Sequence, residues 1–231
     1  MTILALEFSS SQRSVAVARD GQVLAAAATA GGREMNAFSL IERVLAEACL
    51  GRDQIDCLAV GLGPGSYTGI RVALAIAQGW QLARPIRLLG VSSADCLASQ
   101  GWAMGLRGRI HVVIDAQRGE FYRAVYEGAT DGWREVEPLQ IQTAAAVTAA
   151  AAGEALVGPD LTRWFASGQA LAPSAAELAR LASRRTDFCA GEKLEPVYLR
   201  ETTFLKAAPG PVAGRDFLQG LDGAGLSQRP E

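Results

Sequence analysis

Histidine and closely spaced cysteines are nearly absent from this sequence. His111 is the only histidine, and none of the four cysteines belongs to a Cys-x-x-Cys pair. Imidazole and thiolate groups are the usual protein ligands of transition metals, so the sequence predicts no metal site. A lone imidazole without a nucleophile nearby in the sequence also predicts no catalytic residue, and we expect His111 to be packed or exposed.

Long hydrophobic runs and a basic excess are missing as well. No stretch approaches the roughly 18 apolar residues of a membrane-spanning helix, and the short run Ile3 to Leu6 meets Glu7 at once, which predicts no secretory signal. The net charge of -2 provides no basic field, so we expect no tight RNA binding by this chain alone. With 49% hydrophobic and 20% charged residues, the composition is typical of a soluble cytoplasmic protein with buried free thiols.

What the sequence does contain is a glycine-rich stretch after an apolar run. The run Leu58 to Leu62 predicts a strand. Glycines then recur at alternate positions, Gly61, Gly63 and Gly65. Glycine lets the backbone turn sharply, and the hydroxyl of Ser66 or Thr68 predicts the N-cap of a helix that runs to about Ala83.

This glycine loop is a candidate nucleotide site because helix N-termini favour anions. The sequence has no Gly-Lys-Ser/Thr, which excludes a P-loop, and the glycine spacing does not match the dinucleotide-binding fingerprint. The alternative is a purely structural strand-to-helix turn. A nucleotide site here would use the strand-end carboxylate, the serine after it and the loop, namely Glu7, Ser9, Gly63 and Gly65.

The helix after the loop is apolar on two faces. One stripe contains Ile70, Ala73, Leu74 and Ala77, and the other contains Val72, Ile76 and Gly79. A helix with two apolar faces is usually buried on two sides. We therefore expect one side to pack on the protein's own sheet and the other on a second helix or a second chain.

The remaining periodicity predicts an α/β first half over residues 1–100. Its strands are Thr2 to Phe8, Ser14 to Arg19, Gln22 to Thr29, Ile55 to Leu62 and Ile86 to Val91. Its further helices begin at Asn36, ending before Gly51, and at Ser92-Ser93, ending at Ala98. Asp20-Gly21 predicts a two-residue hairpin turn, and the strand-helix-strand order implies a parallel pair.

The second half is predicted over residues 101–205, with a Gly/Pro/Ala-rich tail at 206–231. The run Gly101 to Gly108 predicts a loop between the halves. The strands are Arg109 to Asp115, Glu120 to Glu127, Trp133 to Gln142 and Ala155 to Gly158, and the helices are Thr143 to Ala152, Leu161 to Phe165 and Ala175 to Ser183. Asp115 and Glu120 flank a turn, so we interpret them as turn formers rather than as paired catalytic carboxylates.

Four segments resemble one protein family. They are GPGSYTGIR from Gly63, GVSSADCLA from Gly90, VVIDAQRGEFYRAVYE from Val112 and PVYLR from Pro196. In this order they resemble the TsaB/YeaZ family, partner proteins in making threonylcarbamoyladenosine beside the tRNA anticodon. The opening strands resemble the actin, sugar-kinase and Hsp70 superfamily. The resemblance implies an actin-like (ribonuclease H-like, ASKHA) α/β fold with two halves of mixed sheets, the second reduced.

Two positions depart from the family pattern. Glu7 stands where the family usually shows aspartate, and the stretch from Asn36 to Phe38 holds no histidine. The resemblance implies a non-catalytic scaffold that dimerises with a metal-containing TsaD-like paralogue, with a small TsaE-like ATPase taking part and tRNA bound only through the complex. It implies no cofactor required by this chain, and it leaves ATP or ADP to a shared interface.

The candidate partner surface consists of the helix from Asn36 and the helix after the glycine loop. Its residues are Leu40, Val44, Ile70, Ala73 and Ala77, and the same helices are candidates for a homodimer. Two alternatives remain open. A glycoprotease-like metallopeptidase would require a metal or a nucleophile, and the sequence predicts neither. A stand-alone nucleotide-binding ATPase would be built on Glu7, Ser9 and the glycine loop.

Overall fold

The computed structural model describes residues 1–30, 37–129, 132–197 and Leu199. Two predictions from the sequence fall elsewhere. The cap at Asn36 and the tail at 206–231 lie outside the described residues.

Five strands form the first sheet, in the order β3-β2-β1-β4-β5. They are β1 (Thr2–Glu7), β2 (Gln12–Arg19), β3 (Gln22–Ala30), β4 (Cys57–Gly61) and β5 (Arg87–Val91). β1 pairs antiparallel with β2 and parallel with β4, so the sheet is mixed. The Asp20-Gly21 turn joins β2 to β3 with positive φ at both residues, as the sequence predicts.

Five more strands form the second sheet, in the order β10-β9-β6-β7-β8. They are β6 (Gly108–Asp115), β7 (Glu120–Ala129), β8 (Gly132–Thr143), β9 (Ala155–Gly158) and β10 (Gln169–Ala170). β6 pairs antiparallel with β7 and parallel with β9, which repeats the arrangement around β1. The repeat confirms the predicted actin-like architecture of two α/β halves with mixed sheets.

Five α-helices accompany the two sheets in the described part of the chain. They are α1 (Ala37–Glu47), α2 (Tyr67–Ala83), α3 (Ser93–Ala103), α4 (Ala144–Ala150) and α5 (Ala175–Ala182). Short 3-10 helices lie at Arg52–Gln54, Leu161–Arg163 and Gly191–Lys193. The second half is the reduced one, since α4 has seven residues and β10 only two.

Helices cover both faces of the first sheet. On one face, Val44 of α1 and Ile70 of α2 pack with Leu58 of β4. On the opposite face, Leu178 of α5 packs with Ile3 of β1. Because side chains alternate along a strand, such double coverage requires apolar residues at successive positions. The fully buried, nearly all-apolar β1 meets this requirement.

α3 contacts both sheets. Its Cys96 packs with the first sheet, whereas Ala94 and Leu97 pack with the second. The far face of the second sheet is covered by Val147 of α4 and by Phe165. α3 is therefore an apolar link between the halves.

The predicted end of α3 at Ala98 is wrong. The helix continues to Ala103 and takes in the first part of the predicted loop Gly101 to Gly108. Gly101 is buried, and the side chains of Leu106 and Ile110 lie against it. Since α3 is buried on most sides, its sequence lacks the polar stripe that marks a helix by its period.

α5 lies in the second half by sequence but packs on the first sheet. Its buried residues Leu178 and Ala179 contact β1 and β2 rather than β6 or β7. Farther along, Cys189 pairs with Leu88 of β5. The chain thus leaves the first sheet, forms the second, and returns. The predicted divisions at 100/101 and 205/206 stay predictions.

Candidate functional site

The glycine loop joins β4 to α2 by very close backbone packing. Ser66 is the N-cap, and its Oγ accepts a hydrogen bond from the Gly69 N–H at 3.3 Å, as the sequence predicts. The peptide bond between Gly63 and Pro64 is cis. A Cβ at Gly65 would overlap with the carbonyl oxygen of Ser9, so this position requires glycine.

A cleft of about 500 Å³ opens beside this loop. Most of its lining comes from Ser9 to Ser11, Gly65 to Tyr67, Ile114 to Gln117, and Pro159 with Asp160, Arg163 and Trp164, and Tyr122 and Val197 complete it. Ser11 Oγ donates a hydrogen bond to Asp160 Oδ2 at 3.2 Å, which links the first half to the second across the cleft. Asp160 has a left-handed backbone, with φ at +50°.

The four predicted nucleotide-site residues do not lie together. Ser9 and Gly65 line the cleft, whereas Gly63 and Glu7 do not. Glu7 is fully buried behind the loop: Oε1 accepts from the Ser9 N–H at 2.8 Å and Oε2 from the Ser93 hydroxyl at 2.9 Å. Burial raises the pKa of Glu7, and the hydrogen bonds from Ser9 and Ser93 oppose the rise. A cleft ligand therefore does not meet this carboxylate.

Several backbone amides that border the cleft already have partners within the protein. The Ser9 N–H donates to Glu7, the Ser66 N–H to Ser9 O at 2.6 Å, and the Gln117 N–H to Asp115 Oδ1 at 2.7 Å. Phosphate-binding loops work because such amides point at the ligand. Asp115 and Asp160 add two carboxylates to the cleft lining, which disfavours a polyphosphate further.

Asp115 acts as a turn former, as the sequence predicts. Its carboxylate accepts from the backbone amide of Gln117 and from the side-chain amide of the same residue. Gln117 and Arg118 both have positive φ in this turn. Throughout the described ranges, no group of three or more histidine, cysteine, aspartate or glutamate side chains is placed to hold a metal ion.

The residues of the candidate partner surface face the core of this chain. Val44, Ile70, Ala73 and Ala77 are fully or almost fully buried in the core under the first sheet, and Leu40 packs against that core. Both stripes of α2 are apolar, so the sequence did not show which stripe faces the sheet. The opposite side of α2 contains exposed residues, among them Ala75 and Leu82.

The outer face of α1 and α2 carries exposed apolar groups. It includes Phe38 of α1 and Ala75, Gly79 and Leu82 of α2, whereas Val72 and Ile76 are half-buried and pack against the core. Leu82 is 91% exposed and Phe38 is 60% exposed. A Cβ built at Gly79 meets no atom within 4 Å. Large exposed apolar side chains grouped on one face are typical of an interaction surface.

Sequence reasoning missed a charged network around His111. The imidazole is fully buried, its Nδ1 accepts from Arg123 Nε at 3.0 Å, and its Nε2 lies against Glu154. Arg123 also donates to Glu137 at 2.8 Å, and Arg109 pairs with the same carboxylate. Burial lowers the pKa of His111. The network is structural, since no nucleophilic side chain takes part in these bonds.

The cysteines only partly match expectation. All four are free, and Cys57 and Cys96 are buried as predicted, whereas Cys49 is exposed. Burial raises the pKa of the Cys57 thiol to about 12, which makes that thiol unreactive. Within the described ranges, no helix combines the length and apolar character that crossing a membrane requires.

Comparisons with known proteins identify proteins that are similar to this chain. A family model described as TsaD, tRNA N6-adenosine threonylcarbamoyltransferase, matches residues 30–189. The tRNA threonylcarbamoyladenosine biosynthesis protein TsaB of Escherichia coli (strain K12) is 30% identical over 91% of this chain and 99% of its own length. TsaB of Bacillus subtilis (strain 168) is 31% identical over 61% of each chain. The solved structure of YeaZ from Pseudomonas aeruginosa superposes with a TM-score of 0.74 at 26% identity, covering 86% of this chain and 99% of that one.

Proposed function

The chain belongs to the TsaB/YeaZ family of tRNA threonylcarbamoyladenosine biosynthesis proteins, and we propose that it is the non-catalytic scaffold subunit of that system. In this proposal a TsaD-like paralogue carries the metal and transfers the threonylcarbamoyl group. The described residues support this division of labour, because they contain no metal-binding cluster and the His111 network includes no nucleophile.

The observation that carries the proposal is the outer face of α1 and α2. The two helices lie on one face of the first sheet, bury their inner stripes there and leave Phe38 and Leu82 exposed. Ala75 and Gly79 are small and exposed on α2, so a partner helix can approach the backbone of α2 closely. We propose this outer face, rather than the buried stripe, as the surface for the TsaD-like partner.

The test compares two exposed helical alanines. Ala75→Glu places a charge in the proposed surface, and Ala149→Glu places the same charge on α4 of the second half. We expect Ala75→Glu to raise the Kd for the TsaD-like paralogue about tenfold or more, because a charge is desolvated in an apolar contact. Calorimetric titration with the paralogue from the same cells measures both variants. Equal affinities for the two variants would remove the outer face from the proposal.

The same face serves our proposal for self-association. In the absence of the paralogue, two copies would cover the same apolar groups, which makes a homodimer and the heterodimer mutually exclusive. Sedimentation of the chain alone should show a dimer that Ala75→Glu converts to a monomer. A dimer that survives Ala75→Glu would place self-association elsewhere. A TsaE-like ATPase and tRNA join only the assembled complex in this proposal, since the net charge of -2 offers tRNA no basic field.

A stand-alone nucleotide-binding ATPase is the second candidate, because Ser9, Gly65 and the start of α2 line a cleft of about 500 Å³. The amides beside the cleft are already hydrogen-bonded within the protein and two aspartates line the cleft, and both features disfavour nucleotide binding. We propose that this chain requires no cofactor of its own. Titration with ATP and ADP, with and without Mg²⁺, should give no heat of binding. Binding that Gly65→Ala abolishes would favour the ATPase instead.

The metallopeptidase alternative has a direct test as well. Purified protein should not cleave a casein substrate, and added Zn²⁺ should not change that result. Cleavage that a chelator blocks would contradict the scaffold proposal. A cytoplasmic location stays a prediction from the composition.

A further inference from the structure

Glu7 is a buried carboxylate that the proposed function does not use. It is the last residue of β1, it is fully buried, and it does not line the cleft. Its two oxygens accept hydrogen bonds from two separate segments, the Ser9 N–H in the turn after β1 and the Ser93 hydroxyl at the start of α3. A buried carboxylate is kept only where such bonds replace its hydration.

Gly61 creates the space for this carboxylate. It ends β4, the parallel neighbour of β1, and a Cβ at this position would overlap with Oε2 of Glu7. Every other residue has a Cβ, so any substitution of Gly61 would displace the Glu7 side chain. Glu7 and Gly61 are therefore matched in size, and each sets what the other position tolerates.

From Glu7, hydrogen bonds lead directly to the start of α2. Ser93 Oγ, which donates to Glu7, also accepts from the Gly63 N–H at 3.2 Å. Ser9, whose amide Glu7 holds, accepts at its carbonyl from the N–H of Ser66, the N-cap of α2. The Glu7 carboxylate therefore takes part in both chains of hydrogen bonds that position the glycine loop, one through Ser93 and one through Ser9.

No side chain separates the turn after β1 from the first turn of α2. Cβ atoms at Gly65 and Gly69 would overlap with the carbonyl oxygens of Ser9 and Phe8 respectively. Backbone therefore lies directly on backbone, and a shift of the turn moves the helix with it. The position of α2 depends on the position of Ser9, which Glu7 fixes.

We propose that Glu7 is a positioning residue that anchors the start of α2, and with it the outer face, rather than a ligand of the cleft. The anchor itself is a property of this chain alone. Its consequence for partner binding rests on the proposed function.

The first test is Glu7→Gln, which keeps the size of the side chain and removes one acceptor. The amide oxygen can still accept from Ser9, but the amide NH₂ then faces Ser93 as a donor, so the Ser93 hydroxyl loses its acceptor and its hydrogen bond from the Gly63 N–H weakens. Glu177 provides a matched control: it is a buried glutamate on α5 that accepts from a serine hydroxyl, Ser99, at 2.6 Å. It lies on the opposite face of the first sheet from α2.

Hydrogen exchange under native conditions reads out the anchor. Glu7→Gln should speed exchange of the Gly63 and Ser66 amides about tenfold, because the bonds that protect them weaken. Glu177→Gln should leave these two amides unchanged even if it lowers global stability. Unchanged exchange in Glu7→Gln, or equal acceleration in both variants, would overturn the anchor.

A double-mutant cycle tests the size match. Gly61→Ala alone should lower the melting temperature, because its methyl group collides with the carboxylate. Glu7→Asp alone should also lower it, because the shorter side chain leaves a gap and no longer reaches Ser93. In the double variant the new methyl group fills that gap, so the loss should be smaller than the sum of the two single losses. Strictly additive losses would overturn the match.

Measuring the affinity for the TsaD-like paralogue distinguishes a failure of the anchor proposal from a failure of the proposed function. We expect Glu7→Gln to weaken binding of the TsaD-like paralogue about tenfold, with Glu177→Gln equal to the unmodified chain. If the unmodified chain does not bind the paralogue, the proposed function fails while the exchange result still decides the anchor. If exchange at Gly63 and Ser66 accelerates but affinity is unchanged, the positioning role for the partner surface is overturned.

Discussion

The two sheets have the same strand order but are stabilised by different chemistry. The first sheet is covered by apolar helices on both faces, and Glu7 is the only charged side chain buried among its strands in the described residues. The second sheet has a network of charged groups on one face, formed by Arg109, His111, Arg123, Glu137 and Glu154. One topology therefore tolerates two kinds of interior, and the two halves should respond differently to charge, pH and substitution.

The network has a defined proton arrangement. Because Arg123 Nε can only donate, His111 Nδ1 must accept from it, and the ring proton then lies on Nε2 and is donated to Glu154. The Arg123 guanidinium also forms an ion pair with the Glu137 carboxylate. Each polar group in this part of the second sheet thus depends on its neighbours, whereas an apolar contact in the first sheet does not depend on protonation.

The largest effect is expected from Ala77→Glu in the first half. Ala77 is fully buried against the first sheet, so the variant buries an unpaired charge, and the free energy of unfolding should fall by about 4 kcal/mol or more. Ala75→Glu, two residues away on the exposed side of the same helix, should change it by less than about 0.5 kcal/mol. Urea unfolding measures both. Similar losses would mean that α2 does not bury one face on the sheet.

A smaller loss is expected from Arg123→Met in the second half. The change keeps an apolar chain of similar length but leaves the buried His111 Nδ1 without a donor and Glu137 with Arg109 as its remaining partner, which should cost about 1–3 kcal/mol. Adding His111→Leu to this variant should recover part of the loss, because it removes one of the unpaired groups. If the double variant is less stable than Arg123→Met alone, His111 stabilises the second half through contacts other than its hydrogen bond with Arg123.

Acid should weaken the second half through His111. Burial lowers its pKa below the usual 6.5, so the unfolded chain takes up a proton before the folded one does. Stability is therefore full above the unfolded-state pKa and falls as the pH drops through that pKa toward the lower folded-state value. The charged groups that act on the ring are Arg109, Arg123 and Glu154. His111→Gln should flatten this slope, and an unchanged slope would assign it to other groups.

Glu7 should contribute with the opposite sign. Burial raises its pKa above 4.5, so its share of stability is full below the unfolded-state pKa and is lost as the pH rises through the folded value. Glu7→Gln therefore removes a contribution that decreases with rising pH, whereas His111→Gln removes one that increases. Measuring both variants over one pH series therefore separates the pH dependence of stability that comes from each half.

The smallest effect is expected from Gly79→Ala on the outer side of α2. A Cβ there meets no atom within 4 Å, and alanine favours the helix interior over glycine by about 0.5–1 kcal/mol. The melting temperature should therefore rise. A fall would show that Gly79 is packed closely within the protein itself.

Local chemistry in the sequence predicted the parts of the fold that depend on neighbouring residues. The Asp20-Gly21 turn and the Ser66 cap are of this kind, since both follow from side-chain and backbone preferences within a few residues. The division into two α/β halves with mixed sheets also followed from the alternation of strands and helices, together with the family resemblance.

Features made by distant residues could not be predicted in the same way. Glu154 reaches His111 because β9 pairs parallel with β6, and nothing near either residue signals that register. Which stripe of α2 faces the sheet could not be predicted, because Ala73 and Val72 are both apolar in the sequence and only Ala73 is fully buried. Burial of Glu7 depends on Gly61, and only the pairing of β1 with β4 brings those two together.

The return of α5 to the first sheet has a consequence for biosynthesis. A ribosome releases β1 to β5 early, but the face of that sheet that contains Ile3 and Ala5 is covered only once Leu178 has been made. Until then the nascent first half presents an apolar surface that chaperones bind and that promotes aggregation. Premature termination anywhere before α5 should therefore yield an insoluble product, and not a small folded domain.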